Sequence, residues 1–155
     1  TLRWDEVKER VRTKYPEVKP LSVAEFRIWQ LDRQRTAPLL IDSRSREEFD
    51  ISHIEGAHHA AKVDEAWALL AGQPPGISVV VYCSVGLRSA ELASKQKQRP
   101  PLKPSTNIYN LEGSLFEWAN QGLPLVNAQG TTALVHPFDK RWGALLQRER
   151  WAPLR

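Results

Sequence analysis

The chain has 155 residues, 41% of them hydrophobic and 26% charged, enough for one globular domain whose core needs no disulfide staples. A single cysteine excludes an internal disulfide framework and points to a reducing, cytoplasmic compartment. No apolar run is long enough to span a bilayer, and the net charge of +4 comes with neither a nucleic-acid motif nor a basic stripe interleaved with aromatic residues, so neither membrane nor nucleic acid is expected as a partner.

The start, "TLRWDEVKER", is amphipathic and charged, unlike a secretion signal. The absence of methionine suggests that Thr1 follows processing, which leaves room for a removed targeting segment. Residues 3–14 read as a helix with Trp4, Val7 and Val11 on one face, ended by Pro16. "VKPLS" reads as a short strand. Ser22 with Glu25 is a capping-box signature for a helix carrying Val23, Phe26 and Trp29. "APLLID" is a buried strand, and Ser45 with Glu48 opens another short helix in the same way.

After a short strand in "GAHHA", a helix is expected over 63–71 with Val63, Trp67 and Leu70 inward, broken by "GQPPG". "ISVVVY" is the most apolar strand, and its three consecutive valines fit the centre of a parallel sheet covered on both faces. A helix over 88–98, a strand in "NIYNLEG" and a helix capped by Ser114 with Glu117 complete the alternation. Beyond it, "QGLPLVNAQGTTALVHP" is loop-rich and leads to a helix bearing Trp142, Leu145 and Leu146, an appendage too short for its own core. Strands alternating with helices imply a three-layer α/β domain with a parallel sheet, whose ligands sit beyond the carboxyl ends of the strands. Cys83 and Asp42 fall on that edge.

The basic residues cluster: Lys95, Lys97, Arg99 and Lys103 form one run, and Lys140, Arg141, Arg148, Arg150 and Arg155 load the C-terminal end. They favour anionic partners or simply make a solvated face.

Between Tyr82 and the next helix the chain turns through "CSVGLR". A turn of this kind aims backbone N–H groups and the positive end of a helix dipole at the sulfur of Cys83, favouring the thiolate nucleophile. Gly86 permits a backbone conformation that other residues resist, Arg88 offers a forked cation for an anionic substrate, and Ser84 and Ser89 add hydroxyls. The bland alternative is a small apolar residue at a strand end. Glycine and arginine arranged around the thiol favour the reactive reading. A cation at a helix start opposes the dipole, so Arg88 calls for its own explanation.

"LLIDSRSREEFDISHIEGAHHA", "VVVYCSVGLRSA" and "NLEGSLFEWANQGLPL" resemble, in order and spacing, the three signature regions of rhodanese-like domains. The resemblance covers about 18–125, with 1–17 and 126–155 as N- and C-terminal helical extensions. It implies a three-layer α/β fold with a five-stranded parallel sheet flanked by helices. It also implies sulfurtransferase chemistry: Cys83 takes a sulfane sulfur from a small anionic donor such as thiosulfate, becomes a persulfide, and passes the sulfur to cyanide, a thiol or a protein acceptor. No metal or organic cofactor is implied. By the same resemblance, Ser84, Val85, Gly86, Leu87 and Arg88 form the cradle, beside which the Ser89 hydroxyl is a further substrate-binding candidate. Asp42 with Arg44 match a charged pair near the loop, with structural and substrate-binding roles both open, and Glu48 with Phe49 match a scaffold pair. Ser52 and Ser114 depart from the family pattern, Ser114 standing where a second glycine is usual and serving as a helix cap.

Phosphatases and arsenate reductases use a related loop with five residues between cysteine and arginine, whereas "CSVGLR" has four, a tighter pocket. A non-catalytic docking module is the other alternative, although such modules often lose the cysteine. A disulfide oxidoreductase lacks a resolving cysteine here. His53, His58, His59 and His136 carry no metal-ligand spacing, while His58 or His59 is a candidate for proton transfer at the cleft. Trp118 and the other tryptophans are expected to be core or packing residues.

Overall fold

In a computed structural model describing residues 1–99 and 107–154, every strand expected of the parallel sheet is present. Strands β1 (Lys19–Leu21), β2 (Leu39–Asp42), β3 (His58–His59), β4 (Ser78–Tyr82) and β5 (Asn107–Leu111) pair in the order β1-β5-β4-β2-β3. All four pairings are parallel. The valine run sits at the middle of the sheet because every side chain it presents, on either face, meets apolar neighbours. Val80 and Tyr82 face a core with Phe26, Trp29, Leu115, Phe116 and Trp118, whereas Val79 and Val81 face a second core with Ile41, Ala66, Leu92 and Ala93.

The helices are α1 (Trp4–Lys14), α2 (Val23–Leu31), α3 (Arg46–Ile51), α4 (Val63–Ala71), α5 (Leu87–Gln98) and α6 (Ser114–Asn120). The capping boxes of Ser22 with Glu25 and of Ser45 with Glu48 both form, each satisfying otherwise orphaned backbone donors. Ser114 does not cap α6. Gly113 takes that position with φ 78°, and Ser114, itself at φ 48°, is the first helical residue. The Ser114 hydroxyl is needed elsewhere: it donates to Leu111 O at 2.8 Å and accepts from Cys83 N at 3.2 Å.

Two further expectations shift. On α4 the buried residue is Ala66, with Val63 and Leu70 half-buried beside it, and Trp67 lies under the Arg99 guanidinium rather than in the core. A small residue is what fits where α4 approaches the sheet. After α6 the chain forms an antiparallel hairpin, β6 (Leu125–Asn127) with β7 (Gly130–Thr132), then a single turn, α7 (Lys140–Gly143), and a 3-10 turn over Arg148–Arg150. Leu145 and Leu146 therefore follow α7 instead of lying on it. With Val135 they bury into the same core as Phe26 and Trp118, so this segment shares the core of the sheet domain. β6 is also stitched to the turn after α3 by reciprocal bonds between His53 and Val126 at 2.9 Å.

The basic run is partly spent within the fold. Lys95 pairs with Glu91 at 3.2 Å, Lys97 donates to Glu17 O and Arg99 pairs with Asp64. Lys103 and Arg155 lie outside the described residues. No helix among the described residues is long and apolar enough to cross a membrane.

At the carboxyl end of β2, Asp42 and Arg44 form an ion pair at 2.7 Å with both side chains fully buried. Arg44 also donates to Ser52 O at 2.6 Å, tying β2 to the end of α3. Removing one member of such a pair strands an uncompensated charge in the interior. Arg44→Met is expected to destabilise the protein by about 3–5 kcal/mol, and Asp42→Leu with Arg44→Met to recover much of that loss. Urea midpoints of the three proteins check this, and an unshifted midpoint for the single variant would refute it.

Candidate active site

Cys83 follows directly on β4, and the loop that begins with it ends where α5 starts. Gly86 occupies the N-cap of α5 at φ 109°, a left-handed conformation that glycine adopts without steric cost. The Gly86 N–H donates to the Cys83 sulfur, with N to Sγ at 3.1 Å, and the left-handed φ sends the chain on into α5. The Ser89 hydroxyl lies 3.3 Å from the same sulfur and 2.6 Å from Asn110 Oδ1, while Asn110 Nδ2 donates to Gly86 O at 3.1 Å. One hydroxyl proton can serve only one of these acceptors at a time.

The other side of the loop is held by α6. Leu115 N donates to Cys83 O and Phe116 N to Ser84 O, both at 3.0 Å. These amides are first-turn donors with no partner inside their own helix. The first two carbonyls of the loop are thereby anchored to α6.

Arg88 is explained by Glu48. Its two Nη atoms reach the two oxygens of the Glu48 carboxylate at 2.7 and 2.9 Å, and Nη2 also donates to Ser84 Oγ at 2.8 Å. Glu48 accepts further from Ser45 N at 3.1 Å and from Ser84 Oγ at 3.2 Å. Burial acts to raise the Glu48 carboxyl, but hydrogen bonds and charge from Arg88, with the Arg44 charge behind, outweigh it and hold the group down to about 2. Glu48 is therefore ionised and the two charges cancel. Resemblance makes Glu48 a scaffold residue, and its capping box accounts for it so fully that sequence offers no hint of its partnership with Arg88.

A cleft of about 140 Å³ opens over the thiol, lined by Cys83, Ser84, Val85, Leu87, Arg88, Phe138 and Trp142. Phe138 and Trp142 come from the C-terminal segment, and the Arg88 guanidinium stacks on the Phe138 ring at 4.8 Å. No sequence signal beyond the Asp139 cap on Trp142 N marks these two residues, and that cap predicts only a local turn.

The remaining candidates do not line the cleft. Asp42 and Arg44 are fully buried in their mutual pair and do not line it. Ser89 and Gly86 act on the sulfur from beneath rather than from the walls. His59 Nε2 is 2.6 Å from Arg44 O, His53 stacks on Phe49, His136 lies beside Glu47, and His58 is exposed on β3. Neither His58 nor His59 lines the cleft. Among the described residues no three of His, Cys, Asp and Glu gather as a metal-binding group. Trp118 and Trp29 are buried, whereas Trp4, Trp67, Trp142 and Trp151 are half-buried.

A family model for the rhodanese-like domain matches residues 28–121. The chain is 36% identical over 101 residues to the probable adenylyltransferase/sulfurtransferase MoeZ of Mycobacterium tuberculosis, a match covering 64% of this chain and 24% of that protein. It thus spans about a quarter of the length of the curated relatives it matches. Among solved structures, a thiosulfate sulfurtransferase from Pseudomonas aeruginosa is similar over 88% of this chain and 25% of that chain, with 20% identity and a TM-score of 0.61. A protein of unknown function from Rhodopseudomonas palustris, described as a possible tyrosine phosphatase, is similar over 80% of this chain and 94% of that chain, with 20% identity and a TM-score of 0.57. At these identities the likeness is one of fold, and the two descriptions attached to that fold differ.

The state of Glu48 yields a pH dependence. Its carboxyl is lowered from 4.5 to about 2 in the folded protein, so its contribution is present above pH 4.5 and lost as pH falls through about 2. Relative to Glu48→Gln, the wild type is expected to lose about 3 kcal/mol of stability across that window and to hold a constant difference above it. Urea midpoints measured from pH 7 downward check this; a difference independent of pH would contradict it.

Proposed function

The chain belongs to the rhodanese-like domain family, and from that premise we propose that it is a sulfurtransferase working through a persulfide on Cys83. One observation carries the reading: the chain's only thiol accepts the Gly86 N–H at 3.1 Å in the floor of a cleft at the carboxyl end of the sheet. An amide donor and the start of α5 stabilise negative charge on that sulfur. They serve both the attacking thiolate and the persulfide anion.

With thiosulfate, the simplest donor, the Cys83 thiolate attacks the outer sulfur. The new S–S bond forms as the donor's own S–S bond breaks, and sulfite departs with that electron pair. A thiolate or cyanide then attacks the terminal sulfur of the persulfide, forming a persulfide or thiocyanate and returning the Cys83 thiolate. Oxidation states balance without an external oxidant, so the cycle calls on no metal or organic cofactor. Cys83 is the nucleophile. Arg88 is the cation beside it, Ser84, Val85 and Leu87 shape the walls, and Gly86 and Ser89 hold the sulfur. Asp42 and Arg44 act only by fixing the end of β2. Residues 18–125 form the transferase domain with 1–17 and 126–155 as extensions, and a reducing cytoplasmic setting suits the lone thiol.

Phosphatase chemistry fits less well. A phosphoryl cradle needs the fork of its arginine, and both Nη atoms of Arg88 are on Glu48. The test is intact mass after incubation with thiosulfate, with and without cyanide. Wild type is expected to gain one sulfur atom that cyanide removes, and Cys83→Ser to gain none. Sulfur retained on the variant, or absent from the wild type with thiosulfate and with small persulfide donors alike, would overturn the reading.

A further inference from the structure

The cleft over Cys83 has carbon walls and no uncommitted charge. Val85, Leu87, Phe138 and Trp142 supply the walls, and Arg88, the one cation among the lining residues, is neutralised by Glu48 and covered by the Phe138 ring. A dianion such as thiosulfate would give up water on entering and meet no free cation in return. An apolar group would exchange water for four apolar side chains.

The aromatic wall is held in place at a cost. Phe138 has φ 69°, a conformation that a bulky residue rarely adopts, and local bonds maintain it: Phe138 N donates to His136 Nδ1 at 3.0 Å and Asp139 N to Pro137 O at 2.9 Å. Trp142 is fixed by its amide bond to Asp139 Oδ1 at 2.7 Å. The turn that carries it is clamped in turn, because Trp151 Nε1 lies 3.1 Å from both Gly143 O and Leu146 O. Both wall residues lie beyond 121, where the family match ends. The part of the chain that the family does not prescribe therefore faces the reacting sulfur.

Resting on the sulfurtransferase reading, we propose that the sulfur donor of this chain carries an apolar, ring-sized group next to its sulfane sulfur, and that Phe138 and Trp142 select that group. Benzenethiosulfonate and methanethiosulfonate test this. Each is a monoanion, and each reacts by the same balanced step: the Cys83 thiolate takes the outer sulfur, the donor's S–S bond breaks, and a sulfinate leaves with the electron pair. They differ in the size of the apolar group and in intrinsic reactivity, and the second difference is removed by normalisation.

After normalisation to their rates with free cysteine thiolate, kcat/KM is expected to favour the benzene donor by about tenfold or more. Phe138→Ala and Trp142→Ala are each expected to bring that ratio to within about threefold of unity. Partial loss of folded protein lowers both rates together and leaves the ratio unchanged. Phe138 is 43% exposed, so its replacement opens no core. A wild-type ratio near one, or a full ratio surviving in both variants, would overturn the proposal while leaving sulfur transfer intact. Failure of Cys83 to take sulfur from thiosulfate, from both thiosulfonates and from small persulfide donors alike would overturn the transferase reading and this proposal with it.

Discussion

The geometry of the cysteine loop depends on two amides at the start of α6. Leu115 N and Phe116 N, donors that no helix can satisfy internally, donate to the carbonyls of Cys83 and Ser84. Those bonds fix the two peptide planes at the start of the loop, and two residues further on the Gly86 N–H meets the sulfur. Bringing α6 that close requires the chain to reverse sharply after β5, which it does through left-handed residues at Gly113 and Ser114. The Ser114 hydroxyl, bonded to both Leu111 O and Cys83 N, offsets the strain of its own backbone and locks β5, α6 and the loop together.

Charge is arranged around this loop rather than within it. Asp42 with Arg44 and Glu48 with Arg88 are two carboxylate–guanidinium pairs, both with buried carboxylates, flanking the end of β2 and the start of α3. Each pair is neutral as a unit, and beside the Arg88 charge the sulfur also receives a backbone dipole, the Gly86 N–H. Burial, followed by the Asp42 charge, pushes the Tyr82 phenol up as well. Tyr82 thus stays neutral and accepts from Ile54 N at 3.0 Å, one more tie between β4 and the turn after α3. The result is a rigid floor on which a thiol can be positioned by hydrogen bonds alone.

The C-terminal segment does two jobs with one stretch of chain. Val135, Leu145 and Leu146 join the core beneath α2 and α6, which anchors the segment. That anchorage lets the neighbouring Phe138 and Trp142 stand over the cleft without collapsing into it. Packing in one place thus positions a surface feature in another, and both lie beyond the residues that the family model matches.

What the sequence by itself determined was local or periodic. The valine run, the two capping boxes and the cysteine loop with its glycine are set by backbone sterics and near-neighbour bonds, and each appears where the sequence places it. The order of motifs in the chain was likewise enough to identify the family. Tertiary structure decided whatever depends on residues distant in the chain. Glu48 reads as a cap until the fold brings Arg88, forty positions on, against it. Ser114 also reads as a cap until β4 and β5 lie side by side and its hydroxyl is claimed by the loop. Phe138 and Trp142 carry no motif, because an aromatic ring becomes the wall of a site only through what stands opposite it. Hydrogen bonds between neighbours are written in the sequence; pairing between distant groups is settled only when the core has closed around them.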